Sequence, residues 1–128
     1  MLKFASKLFQ VKPFKAYYHH LPKYWISSAG ESHNLQGYKF FQKGNYQDAY
    51  SQFLQALAEE EKAGSQNKKL KLNIFINLGN TANILGYFSE AQEALSKGLK
   101  LAISQYGDNS LEAAQIYSAL GTVYIEFG

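Results

Sequence analysis

Three glycines, Gly37, Gly79 and Gly121, stand 42 residues apart at each step. A second series, Gly44, Gly86 and Gly128, keeps the same spacing. A fixed period of about 20–50 residues marks a repeat architecture, in which each unit buries its apolar face against its neighbours. The flanking residues repeat as well. Tyr46, Gln47, Asp48 and Ala49 lie over Phe88, Ser89, Glu90 and Ala91, and Phe53, Ala56 and Leu57 lie over Leu95, Gly98 and Leu99. Between the two glycine series runs a segment of helix length. A glycine closing it suits a left-handed C-terminal cap.

Each unit reads as two helices. Ile74, Leu78 and Ala82 recur at four-residue steps, with Phe75 and Leu85 on the same face, which is the helical period. Ala91, Ala94, Leu95, Leu99 and Ala102 do the same in the next segment. In the first unit Phe40, Phe41, Ala49, Phe53, Ala56 and Leu57 take the packing roles. Ser89 with Gln92, and Asn109 with Glu112, have the spacing of capping boxes. Glu59, Glu60, Glu61 and Lys62 read as the solvated end of a long helix. The expected helices span about 32–43, 46–63, 67–85, 88–105 and 110–127. The fold class is therefore all-α: a short α-solenoid of antiparallel helix pairs, two repeats plus a half repeat. The units fall at about 32–66, 67–109 and a partial 110–128, after a leader over 1–30.

At this point the residues resemble a known family. Asn77-Leu78-Gly79-Asn80, Gly86-Tyr87-Phe88, Ala91, Leu95 and Leu99 are similar to a tetratricopeptide repeat (TPR). The first unit matches with Gly37, Gly44-Asn45-Tyr46, Ala49, Phe53, Ala56 and Leu57, and the third with Tyr117, Leu120-Gly121 and Tyr124. The usual repeat is about 34 residues. The longer period here, with Tyr106-Gly107-Asp108-Asn109 before a helix, resembles kinesin-light-chain-type repeats. Gln36 and Ala82 depart from the family pattern. The resemblance implies a right-handed superhelix with a concave groove lined by the first helix of each pair.

That groove would carry Asn73, Asn77, Asn80 and Ile84 from the second unit. Asn34, Tyr38 and Phe41 would join from the first unit, and Gln115, Ser118 and Thr122 from the third. Each carboxamide offers two donors and an acceptor, so a stripe of them can bond the main chain of an extended peptide. Asparagine is a mediocre helix former, and three on one stripe ask for either a binding role or simple exposure to water. Chaperone-binding TPR domains resemble one another in a cationic clamp on a terminal carboxylate. Here only Asn77 fits that clamp; Asn34, Tyr38, Gln115 and Ala119 fill the other places. A carboxylate without cations gains little.

Composition narrows the function classes. Hydrophobic residues make up 46% and charged residues 18%, enough apolar content to escape compositional disorder. There is no cysteine, which removes thiol chemistry, disulfides and Cys-based metal sites. No apolar run approaches the roughly 18 residues of a membrane span. All thirteen basic residues are lysines, whereas nucleic-acid readout favours arginine. His19 and His20 are adjacent and have no carboxylate near in sequence, and the third histidine is His33. Neither a metal site nor a Ser/His/Asp arrangement follows. The expectation is a protein with no catalytic, metal or cofactor site.

Residues 1–30 have a different character. They hold five lysines (Lys3, Lys7, Lys12, Lys15, Lys23) and no acid, whereas 31–128 is mildly acidic. Leu2, Ala5 and Phe9 share one helical face, with Leu8 at its edge and Lys3 and Lys7 opposite. A basic, acid-free, amphipathic leader has the marks of a mitochondrial transit peptide. Three rivals stand beside that reading: a membrane-surface anchor, an arm along a partner, and an extra helix capping the apolar face of the solenoid's first repeat. The location is accordingly mitochondrial, or cytoplasmic if the leader stays. At the other end Tyr117, Leu120, Thr122, Tyr124 and Ile125 form a helix without a hairpin partner. Either the chain is a fragment of a longer protein or another chain covers that face. The expected function is a non-catalytic module that binds a peptide or helix of another protein, as adaptor or assembly factor. Its partners are proteins, met through the groove or the terminal helix, in a homo- or hetero-oligomer, and not nucleic acid. The alternative is a structural subunit buried permanently in a larger complex, a mitochondrial one if the leader directs import.

Overall fold

The computed structural model describes residues 28–64 and 66–127. The readings made for 1–27, including His19, His20 and the lysine-rich leader, lie outside the described residues, as does Gly128. Among the described residues there are five helices and no strand: α1 (Ala29–Gln42), α2 (Tyr46–Lys62), α3 (Lys68–Ile84), α4 (Phe88–Tyr106) and α5 (Leu111–Phe127). None is long and apolar enough to cross a membrane.

The two tight turns are copies of one another. Gly44 and Gly86 take φ of 80° and 81°, the left-handed region where an L side chain is strained. Asn45 N–H donates to the Phe40 carbonyl at 2.9 Å, and Tyr87 N–H to the Ala82 carbonyl at 2.8 Å. Gly44 and Gly86 donate one turn inward, to Phe41 and Asn83, at 3.0 and 3.1 Å. This pair of bonds is a Schellman motif, and it satisfies carbonyls that a helix end leaves orphaned. The next residue in each case, Asn45 or Tyr87, is already the N-cap of the following helix, with φ −86° and ψ 70° in both.

This economy overturns the first expected capping box. Helix α4 starts at Phe88, so Ser89 lies inside it, and Tyr87 makes no side-chain cap. Gln92 instead donates to the Tyr124 hydroxyl of α5 at 3.3 Å. The second box is displaced by one residue, because Ser110 Oγ, not Asn109, accepts from Ala113 N–H at 3.1 Å. Helix α1 begins at Ala29, inside the stretch assigned to the leader. Ser28 Oγ caps it by accepting from Glu31 N–H at 3.0 Å.

Packing follows the glycine series. A Cβ on Gly37 would stand 2.6 Å from Phe53 Cε1, and one on Gly79 would collide with the Leu95 side chain. Each glycine is thus a notch on the first helix of a pair for a knob on the second. Phe53 and Leu95 are fully buried, each worth about 1.5–3 kcal/mol of burial. Two apolar clusters result. One joins Ala49, Phe53 and Ala56 of α2 to Ile74 and Leu78 of α3. The other joins Leu72 and Ala82 of α3, Ala91 and Leu95 of α4, and Ile116, Leu120 and Val123 of α5.

Consecutive helices pack on one another. In addition α1 touches α3 and α3 touches α5, whereas the backbones of α2 and α4 stay apart. The stack therefore bends toward α1, α3 and α5, which line its inner face. Glu60 departs from the sequence expectation. It is not solvated but 2% exposed, with its Cγ 2.7 Å from where a Gly30 Cβ would be and Ser28 Oγ 3.4 Å from Oε2. Its carboxylate lies against the first turn of α1, where the helix dipole favours negative charge.

Candidate functional site

The inner face opens into a cleft of about 780 Å³ between α1 and α3. Helix α1 contributes Glu31, Asn34, Leu35 and Tyr38; α3 contributes Lys69, Leu70, Asn73 and Asn77, with Asn67 at its N-cap. Three of the expected groove asparagines meet there. Asn34 Nδ2 donates to Asn73 Oδ1 at 2.8 Å. Asn77 Nδ2 donates to Asn34 Oδ1 and to Asn73 Oδ1, both at 3.0 Å. The Asn73–Asn77 bond follows from the four-residue step on one helix. The bonds to Asn34 tie α1 to α3.

The triangle leaves a defined remainder. Asn77 has used both of its donors and retains its carbonyl oxygen as acceptor. Asn73 retains its amide donors, and Asn34 one of its two. The cleft therefore presents donors and an acceptor side by side, on side chains whose rotamers are held by one another. Its apolar surface comes from Leu35, which is 37% exposed, and the Tyr38 ring, which is 49% exposed. Glu31 and Lys69 bring one charge of each sign.

The remaining expected residues sit elsewhere on the inner helices. Asn80 and Ile84 are exposed farther along α3. Phe41 is half-buried, edge-on to Tyr46 with ring centroids 5.2 Å apart, and packs on the first apolar cluster. Gln115, Ser118 and Thr122 are exposed on α5; Thr122 Oγ1 donates to the Ser118 carbonyl at 3.2 Å. None of these six lines the α1–α3 cleft.

Glu31, Ser32, Leu35, Asn67, Lys69 and Leu70 line the cleft without having been singled out from the sequence. For two of them a signal existed. The 42-residue period sets Glu31 level with Asn73 and Leu35 level with Asn77. Among the described residues no group of three His, Cys, Asp or Glu side chains could hold a metal ion. His33 Nδ1 lies 2.9 Å from Gln52 Oε1, in a bond between α1 and α2. The chemistry that the cleft does offer is hydrogen bonding to amides beside a modest apolar surface. No protein-family model matches this chain, and no curated protein or solved structure matches it either.

Proposed function

We propose that this chain is a TPR-type interaction module that holds an extended segment of another protein in the cleft between α1 and α3. The observation that carries the reading is the Asn34–Asn73–Asn77 triangle. Its leftover amide donors and carbonyl acceptor complement a peptide unit, which presents one acceptor and one donor. Ordering three asparagines beforehand lowers the entropy lost on binding. Leu35, Leu70 and Tyr38 add apolar contact for one or two side chains of the guest. The resemblance of the two Gly-x6-Gly units to TPR sequences supports the same reading, since such arrays take peptides on the face formed by the first helices.

The test is a random peptide library panned on the immobilised chain, followed by fluorescence anisotropy of the selected peptides. Asn73→Leu keeps the branched outline of the side chain and removes the amide. It should weaken the selected peptides about tenfold, the worth of one or two hydrogen bonds to the guest that the leucine cannot make. Peptides that bind Asn73→Leu as well as the parent chain would place the binding surface elsewhere.

A further inference from the structure

The cleft between α1 and α3 differs from one end to the other. Asn34 bonds to both Asn73 and Asn77, which sets it level with the middle of that turn of α3. An α-helix rises about 1.5 Å per residue. Lys69 therefore stands about 9 Å from the asparagine triangle toward the helix N-termini, and Glu31 about 4.5 Å in the same direction. Tyr38 stands about 6 Å from the triangle the other way. All three line the cleft. One end is thus charged and the other aromatic, with the amides between them.

The charged end has a sign. Lys68, Lys69 and Lys71 crowd the first turn of α3, which holds no acid. That turn is the positive end of the helix dipole, where a lysine is unfavourable and a negative charge is stabilised. The first turn of α1 is offset by its own Glu31. Glu31 and Lys69 line the same cleft, yet among the described residues neither takes part in an ion pair. Glu59 and Glu60 of α2 line a separate pocket at the start of α1, together with Lys62. Three lysines against one glutamate leave this end of the cleft positive.

We infer, on the strength of the peptide-holding role proposed for this cleft, that the guest segment carries an acidic side chain on one flank of the bonded peptide unit and an apolar one on the other. The acid meets Lys69, and the apolar group meets Tyr38 and Leu35. An extended chain advances about 3.3 Å per residue. The span to Lys69 then corresponds to about three residues and the span to Tyr38 to about two. Acid and apolar residue are accordingly about five positions apart in the guest. An ammonium is a point charge on a flexible stem, so aspartate and glutamate serve alike.

The test pans a random peptide library on the whole chain. The selected peptides are expected to share an acid about five positions from an apolar residue. A double-mutant cycle then pairs that acid, changed to its amide in the peptide, with Lys69→Gln in the chain, read by fluorescence anisotropy. Either change alone should weaken binding about threefold, the worth of a partly exposed ion pair, and the two together should weaken it no further. The loss should shrink as salt is raised. Lys69→Gln removes a charge that the dipole disfavours from an exposed position, so the urea midpoint should not fall. Peptides that lose affinity on Asn73→Leu but share no acid, or whose acid is indifferent to Lys69→Gln, overturn the charge preference and leave the peptide cleft standing. So does the selection of basic peptides, which would give this end to Glu31. Peptides indifferent to Asn73→Leu remove the cleft as the binding surface, and the charge preference with it.

Discussion

Phe53 presses its ring into Gly37 so closely that a single added carbon would stand 2.6 Å from Cε1. The two residues are sixteen apart and belong to facing helices of the first hairpin. Leu95 and Gly79 repeat the relationship one period later. Substitution at either glycine sets two effects against each other. Alanine improves helix propensity by about 1 kcal/mol. Overpacking a knob that is fully buried costs about 1–3 kcal/mol. The second effect should win, because Phe53 and Leu95 have no solvent side to retreat to. Gly37→Ala and Gly79→Ala are each expected to lower the unfolding free energy by up to about 2 kcal/mol. Urea titration would show it as a lower midpoint at unchanged slope.

Gly44 and Gly86 fail differently. A Cβ there meets nothing within 4 Å, so volume is irrelevant. Their φ values near 80° are the constraint. Gly86→Ala should cost about 1 kcal/mol through the left-handed conformation alone. Gly86→Asn should cost less, since asparagine tolerates that region. At Gly79 the order reverses: asparagine, being larger, should be worse than alanine. Thermal unfolding of the four variants separates strain from crowding.

The period was legible because both demands, a notch and a positive φ, are met without steric cost by glycine. The alternation of helices was legible for the same reason, along with the apolar faces around Ile74, Leu78 and Leu95. The capping boxes were not. A Schellman turn that hands its last residue straight to the next helix leaves no place for a serine cap, and Ser89 falls inside α4. Glu60 looked solvated because its neighbours in sequence are charged; its burial depends on α1 lying across it. In the cleft, the Asn73–Asn77 pair follows from one helix alone. That Asn34 joins it depends on how closely α1 approaches α3, and a four-residue stripe does not encode that distance.

The asparagine triangle should behave as a unit. Asn34→Ala leaves Asn73 and Asn77 bonded to each other but unties α1 from α3. Asn77→Ala removes one of those two cross-helix bonds and leaves Asn34 bonded to Asn73. Their combined effect on stability should therefore fall short of the sum by about 0.5–1.5 kcal/mol. Asn80→Ala, on an exposed position of the same helix, should stay within about 0.5 kcal/mol of the parent. A double-mutant cycle in urea reads the coupling. Strict additivity would mean that the triangle is a surface arrangement with no hold on the helix pair.

Tyr50 gives the fold a dependence on alkaline pH. Burial raises its phenol above the ordinary value of 10.0, and the nearby Glu90, Tyr87 and Glu93 charges act the same way. Its ring stands edge-on to Tyr87 at 5.4 Å, and the Tyr87 hydroxyl donates to Gln47 Oε1 at 3.0 Å, so one aromatic pair bridges the two hairpins. Tyr117 shifts upward as well, first through its 2.7 Å bond to Asp108. A phenol that holds its proton more tightly folded than unfolded stabilises the fold fully below the unfolded pKa. That contribution drains away as pH rises through the folded pKa. The parent chain should thus lose stability as pH climbs past about 10, and Tyr50→Phe should lose less over the same interval. Urea midpoints measured from neutral pH upward on both chains give the comparison. Parallel curves would show that Tyr50 ionises equally well in the folded and unfolded chain. A steeper curve for Tyr50→Phe would reverse the sign derived from its burial.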